Sequence, residues 1–193
     1  MNKSLTLVAA VSALALSAPL VHAAPGDNIA RLKVININPD VDSDVPGLDV
    51  NDETTAEIGI THFFTSNWAI DLGISSAKQD VTLNGGGGSA KLMPVNVLAQ
   101  YHFMPEGAWR PYVGAGLNYT HISDVDIAGG SVNLEKDRFG PVIQAGLDVP
   151  INDAWSFNAD AKKVWLSTDA SGAASGNVDI DPWIFGVGVG YKF

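Results

Sequence analysis

Trp183-Ile184-Phe185-Gly186-Val187-Gly188-Val189-Gly190-Tyr191-Lys192-Phe193 alternates with a period of two. One phase carries Trp183, Phe185, Val187, Val189, Tyr191 and Phe193; the other carries Ile184, Gly186, Gly188, Gly190 and Lys192. Successive side chains of a strand point to opposite faces, so this stretch is a strand with one large apolar face and one nearly empty one. The same logic recurs upstream. In Arg110 to Thr120, Val113, Ala115, Leu117 and Tyr119 oppose Tyr112, Gly114, Gly116, Asn118 and Thr120. In Thr54 to Phe64, Ala56, Ile58, Ile60 and Phe64 oppose Thr55, Glu57, Gly59 and Thr61. In Asn67 to Ala77, Ile70, Leu72 and Ile74 oppose Asp71, Gly73 and Ser75.

Four further segments follow the pattern less cleanly. Phe139 to Ile151 sets Phe139, Ile143, Ala145, Leu147 and Val149 against Gln144, Gly146 and Asp148. Trp155 to Trp165 sets Trp155, Phe157, Ala159 and Ala161 against Ser156, Asn158, Asp160 and Lys162. Met93 to Phe103 sets Val95, Val97, Ala99, Tyr101 and Phe103 against Asn96, Leu98, Gln100 and His102. Ile29 to Ile37 leaves its phase open, because Arg31 and Lys33 alternate in step with Ile35 and Ile37. Eight strands of about ten residues have the length that crosses a bilayer when tilted by about 45°. Short turns (Thr65 to Asn67, Pro105 to Trp109, Asn152 to Ala154) alternate with long connections: Asn38 to Asp52, Asp80 to Ala90, Ile122 to Lys136, Ser167 to Ile180. The expectation is an all-β chain: an eight-stranded antiparallel transmembrane β-barrel with short periplasmic turns and long extracellular loops.

A soluble barrel would show the same alternation. Three features favour the membrane. Phe64 and Trp68 flank one short turn, Phe103 and Trp109 another, Trp155 a third, and Tyr191 and Phe193 lie at the end of the last strand. These aromatics form one interfacial girdle. The glycines lie on the polar phase, where an eight-stranded lumen has room only for small groups. The last strand, ending on Phe193, is similar to the recognition signal that the barrel-assembly machinery reads.

Composition agrees. The chain has 193 residues, 46% hydrophobic and 17% charged, with 21 acidic against 11 basic residues, a net charge of −10 and no cysteine. The acidic balance argues against nucleic acid as a partner. The absence of cysteine excludes disulfides, thiolate metal sites and cysteine nucleophiles. Met1-Asn2-Lys3, the apolar run Leu5 to Leu16 and the small residues of Val21-His22-Ala23 predict a signal peptide over 1–23, cleaved after Ala23. Residues 24–193 are then a single barrel domain in the outer membrane of a Gram-negative bacterium.

Arg110-Pro111-Tyr112-Val113-Gly114-Ala115-Gly116-Leu117-Asn118-Tyr119-Thr120 resembles a block of the outer-membrane protein W family, as do Asp181-Pro182-Trp183-Ile184-Phe185 and Gly190-Tyr191-Lys192-Phe193. Ala99-Gln100-Tyr101, Gly146-Leu147-Asp148 and Thr61-His62-Phe63-Phe64 fall in register between them. The chain departs from the pattern at His121-Ile122-Ser123 and at Lys162-Lys163-Val164. The resemblance implies an eight-stranded barrel with an unusually apolar interior. It also implies passive passage of small hydrophobic solutes across the lipopolysaccharide barrier, released through a gap in the wall into the outer leaflet.

The inward phase contains Leu98, Val142, Val164, Leu166 and Ile184, candidates for lining such a channel. Plain filling of a narrow lumen is the alternative for each. Glu57, Asp71, Asp148, Asp160, Lys162 and Lys192 are inward charges expected to pair as a plug in the periplasmic half. No cofactor is expected. His62, His102 and His121 show no metal-ligand spacing, so no metal is expected either. Two other functions compete with transport. One is a structural or receptor barrel with a filled lumen, whose loops bind phage, bacteriocin or host surfaces. The other is a lipid A hydrolase, since His121-x-Ser123 with Glu135 resembles the His-x-Ser plus Glu of lipid A deacylase barrels. Asp40, Asp42, Asp44, Asp49 and Asp52 crowd one connection, and Asp124 and Asp126 another; they read as a solvated acidic surface, with weak, nonspecific binding of divalent cations as the alternative.

Overall fold

The computed structural model describes residues 25–43, 48–83, 86–126, 132–134, 137–172 and 176–193. The predicted signal peptide and Asp44, Glu135 and the tips of the long connections lie outside them. Eight strands form the wall: β1 (Asn28–Asn38), β2 (Glu53–Phe63), β3 (Trp68–Ser75), β4 (Gly86–His102), β5 (Arg110–Asp126), β6 (Asp137–Pro150), β7 (Trp155–Val164) and β8 (Trp183–Lys192). Each pairs antiparallel with the next. β8 returns to β1 with Ile29 opposite Lys192 and Asn38 opposite Trp183, which closes the barrel and leaves no free edge. Backbone bonds between Asn28 and Phe193 in both directions finish that seam.

The short turns are built by side chains that replace ladder partners. Thr65 Oγ1 accepts from the amides of Asn67 and Trp68, and Asn152 Oδ1 from those of Ala154 and Trp155. At the opposite end the connections are more ordered than their composition suggests. Ala77–Leu83 pairs with the upper part of β4. Val41–Ser43, Gly176–Ile180, Leu166–Gly172 and Val132–Leu134 form a second, four-stranded sheet. Glycine-rich and acidic segments read as loop from side chains alone; ladder hydrogen bonds join backbone groups and accept such residues when a neighbouring strand continues upward.

Closure also settles the phase that the sequence of β1 leaves open. Ile29, Arg31, Lys33, Ile35 and Ile37 all point inward, while Leu32 and Val34 face the bilayer. The outward surface is apolar: Ile58, Leu72, Val97, Leu117, Ile143 and Phe185 are all exposed. Two aromatic girdles bound it. Trp68, Phe103, Trp109, Trp155, Tyr191 and Phe193 form the periplasmic one, all exposed. The other, which strand alternation alone does not assemble, comprises Tyr119, Phe139, Trp165 and Trp183 near the far ends of β5 to β8. The two bound an apolar band about 25 Å tall.

Candidate functional site

The lumen is layered, and the layering follows from which inward residue falls at each height. The periplasmic mouth is filled by Ile29, Phe63 and Ala69, with the His102 ring 4.8 Å from that of Phe63. His102 also stacks on Tyr112, with ring centroids 4.9 Å apart. Tyr112 has room because β6 presents Gly146 to it. A Cβ at that position would lie 2.3 Å from the phenol ring.

Above this mouth lies a belt of charge. Arg31 donates from Nη1 and Nη2 to the two oxygens of Asp148, at 2.5 and 3.0 Å, and from Nε to Thr61 Oγ1 at 2.9 Å. Its guanidinium also lies over the Tyr112 ring, 5.8 Å from the centroid. The Thr61 hydroxyl donates in turn to Asp71 at 2.6 Å. Lys33 bridges Glu57 (2.6 Å) and Asp160 (2.7 Å), and Lys162 donates to both oxygens of Glu57 at 2.8 and 3.0 Å. Neutral amides fill the gaps. Gln144 donates to Asp160, Gln100 to Gln144, and Asn158 to both Asp148 and the Tyr112 hydroxyl.

All seven charged groups are buried. Burying them singly would cost several kcal/mol each, so the belt persists only as a connected set. Glu57 on β2 reaches Lys162 on β7, and Arg31 on β1 reaches Asp148 on β6. Both links span the lumen between strands that are not neighbours in the wall. The belt is therefore a floor across the barrel.

An apolar layer sits on this floor. Ile35, Ile37, Ala77, Leu98, Val142, Val164 and Ile184 form one buried cluster, with Leu166 packed against it and partly open. Four of the five lining candidates are thus in mutual contact. Their exposures, 0% for Leu98, 1% for Val142 and Val164 and 3% for Ile184, describe a closed layer rather than the wall of an open pore.

One side of this layer abuts a weak place in the wall. The β3–β4 ladder runs to Ile74 opposite Val95 and resumes in the same register at Ala77 opposite Leu92. Between them Ser75 and Ser76 face Pro94 and Met93. Pro94 has no N–H to give. The β2–β3 ladder also stops at Glu57 opposite Ser75, where the Thr55 hydroxyl donates to the Ser76 carbonyl. Ser75 Oγ is buried there without a hydrogen-bond partner.

Of the other residues singled out from the sequence, Lys192 stands apart from the belt. It is half-buried at the periplasmic rim and 3.5 Å from Asp27, because it is the last residue of β8. His62 faces outward beside Asn28 (2.9 Å) and Phe64. His121 meets Asp137, its cross-strand neighbour, at 2.8 Å. Ser123 lies two residues further along the same strand, opposite Lys91. Asp52 accepts from Asn38, and Asp40 lies 3.7 Å from Lys163; both are exposed. Among the described residues no cluster of His, Asp and Glu could hold a metal ion. The residues that sequence reasoning missed are Arg31, Lys33, Thr61, Gln100, Tyr112, Gln144 and Asn158. The available signal is the alternation of Arg31 and Lys33 in step with Ile35 and Ile37, which places two cations on an apolar inward face.

Comparison with known proteins adds to this geometry. The model of the OmpW family matches residues 13–193. Outer membrane protein W of Vibrio cholerae is 30% identical over an alignment of 218 residues, covering 100% of both chains. The crystal structure of the outer membrane protein OprG from Pseudomonas aeruginosa is similar with a TM-score of 0.77 and 27% identity, covering 90% of this chain and 98% of that one. The dibenzothiophene metabolism operon protein PahQ of Pseudomonas aeruginosa is 30% identical over 111 residues, 55% of this chain and 53% of the relative.

Proposed function

The chain belongs to the OmpW family of outer-membrane β-barrels, and from that premise we propose that it conducts small hydrophobic molecules passively across the lipopolysaccharide layer. The observation that carries this reading is an apolar layer, seated on a salt-bridged floor, that abuts an interruption of the wall at Ser75-Ser76 and Met93-Pro94. Ala77 belongs to both the layer and the lip of the interruption. A solute coming down from outside meets the floor of Arg31, Lys33, Glu57, Asp148, Asp160 and Lys162. It cannot pass to the periplasm without stripping buried ion pairs. Sideways, past Ala77 and Pro94, it meets the small, uncharged side chains of Ser75 and Ser76 and then the bilayer. Lateral release into the outer leaflet is the downhill route for an apolar solute. The similarity to a protein of a dibenzothiophene metabolism operon is consistent with aromatic hydrocarbons as permeants.

The competing reading, a structural or receptor barrel with a filled lumen, draws support from the near-zero exposure of Leu98, Val142 and Val164. Uptake separates the two. Cells with intact lipopolysaccharide and no homologue of their own would carry this chain, its Leu98→Asp variant or an empty vector. Uptake of labelled naphthalene would be compared with uptake of a polar sugar. Transport predicts faster naphthalene uptake with the native chain, none with the folded Leu98→Asp variant, and no change for the sugar. Equal naphthalene uptake in all three strains would leave the filled barrel standing. The lipid A hydrolase reading predicts instead that Ser123→Ala alters lipid A acylation in the same cells.

A further inference from the structure

The hydroxyl of Ser75 is buried and unpaired at the break in the wall. Ser75 lies on the inward face of β3, only 4% exposed, and its Oγ finds no hydrogen-bond partner among the described residues. Its cross-strand neighbour on β2 is an acceptor, Glu57, but that carboxylate is drawn downward. It takes bonds from Lys33 and Lys162. It leans over Gly73, where a Cβ would lie 3.3 Å from the carboxyl carbon. Gly73 stands two residues below Ser75 on the same face. Two nearby hydroxyls are committed elsewhere. Thr55 gives its hydrogen to the Ser76 carbonyl, and Thr120, in the same row beyond Pro94, gives its own to Asn118. A buried hydroxyl left unpaired costs stability that an alanine in its place would not.

Position gives that cost a use. The β3–β4 ladder is missing at Ser75 and Ser76, and Ala77, next above on the inward face, belongs to the apolar layer. A solute that leaves the layer through the break passes the Ser75 hydroxyl. A charged solute gains nothing there, because Glu57 is already balanced by two lysines and the hydrocarbon beyond rejects ions. A bare hydrocarbon leaves the hydroxyl unpaired. A neutral solute with one polar oxygen differs from both. In the apolar layer that oxygen has lost its water, and a single hydrogen bond satisfies it and Ser75 together.

We infer that Ser75 selects, among small apolar solutes, those carrying a single uncharged oxygen, such as a ketone, by donating a hydrogen bond from Oγ as the solute turns into the bilayer. The inference rests on the transport reading above and narrows its substrate class. Ser75 is then a specificity-determining residue. It favours the oxygenated solute over the hydrocarbon of the same shape by the net worth of one neutral hydrogen bond, roughly three- to tenfold in rate.

The test compares naphthalene with methyl naphthyl ketone, which shares its rings and adds one carbonyl. Cells with intact lipopolysaccharide and no homologue of their own would carry the native chain, Ser75→Ala, Ser75→Thr or an empty vector, with the folded barrel quantified on unheated gels. After subtraction of the vector rate, the ratio of ketone to naphthalene uptake should fall roughly three- to tenfold in Ser75→Ala. Ser75→Thr, which keeps the hydroxyl, should restore it. With the barrel purified in detergent, the infrared carbonyl band of bound ketone should lie at lower frequency in the native chain than in Ser75→Ala. In urea, Ser75→Ala should unfold at the native midpoint or above it, because the unpaired hydroxyl is gone. A ratio unchanged in Ser75→Ala, while the native chain still takes up naphthalene, overturns this inference alone. So does a ratio that Ser75→Thr fails to restore, or a carbonyl band that Ser75→Ala leaves in place. Naphthalene uptake no faster than with the empty vector overturns the transport reading, and the selection with it. A Ser75→Ala barrel less stable than the native one would give the hydroxyl a partner within the protein and remove the premise.

Discussion

Replacing Arg31 with methionine tests whether the floor of the barrel is one connected network. The native guanidinium donates three hydrogen bonds, two to Asp148 and one to Thr61, and covers the Tyr112 ring. Methionine keeps much of the apolar stem and removes the charge. Asp148 is then left buried, with the Asn158 amide still donating to it. Removing one partner of a buried ion pair costs about 3–5 kcal/mol, because the other charge stays desolvated. A loss of about 4 kcal/mol shifts the unfolding equilibrium by roughly a thousandfold. The second arm replaces both partners, Arg31→Met with Asp148→Leu. Exchanging a buried pair for apolar groups of similar volume is close to neutral, so the double variant should recover most of the loss. The assay is reversible urea unfolding from lipid vesicles, followed by tryptophan fluorescence and by the folded band on unheated gels. The reasoning fails if Arg31→Met costs under about 1 kcal/mol, the behaviour of an exposed pair. It also fails if the double variant loses the sum of the two singles, since independent sites add and coupled ones do not.

Glycine substitutions separate tight places in the wall from loose ones. Gly116→Ala puts a Cβ 1.9 Å from the Val97 carbonyl and should cost about 2–3 kcal/mol or block folding. Gly73→Ala meets the Glu57 carboxyl at 3.3 Å, a contact that asks the belt to shift by only a fraction of an ångström, and should cost less, about 1 kcal/mol, in the same unfolding assay. Phe193→Ala should lower the amount of folded barrel in cells severalfold while leaving refolding in detergent within about 0.5 kcal/mol, because Phe193 is exposed and its backbone bonds to Asn28 do not need the ring. Refolding impaired as strongly as assembly would instead make Phe193 a packing residue. Trp183→Ala, which strips one exposed aromatic from the outer girdle and its partners Phe185 and Lys163, should cost about 1 kcal/mol in vesicles. An equal loss in a detergent micelle would argue against an interfacial role.

What the sequence determines is what is local. A period of two fixes which residues share a face, and it needs no knowledge of neighbouring strands. That is enough for the strands, for the inward position of Leu98, Val142, Val164, Ile184, Glu57, Asp71, Asp148, Asp160 and Lys162, and for the periplasmic girdle. The alternation of short turns and long connections, with aromatics beside the turns, carries the membrane reading. Three things wait for the closed barrel. The phase of β1 is open in sequence because Arg31 and Lys33 alternate with isoleucines, and it takes Asp148 and Asp160, 117 and 127 residues away, together with Glu57 on the neighbouring strand, to offset the cost of burying those cations. The height of each inward residue depends on tilt and stagger, which are properties of closure. Closure puts the charges in one belt and the isoleucines, valines and Leu98 in a separate layer above it. The partner of His121 is Asp137 rather than an acid met sooner along the chain, because cross-strand register, not spacing in sequence, decides which side chains stand side by side.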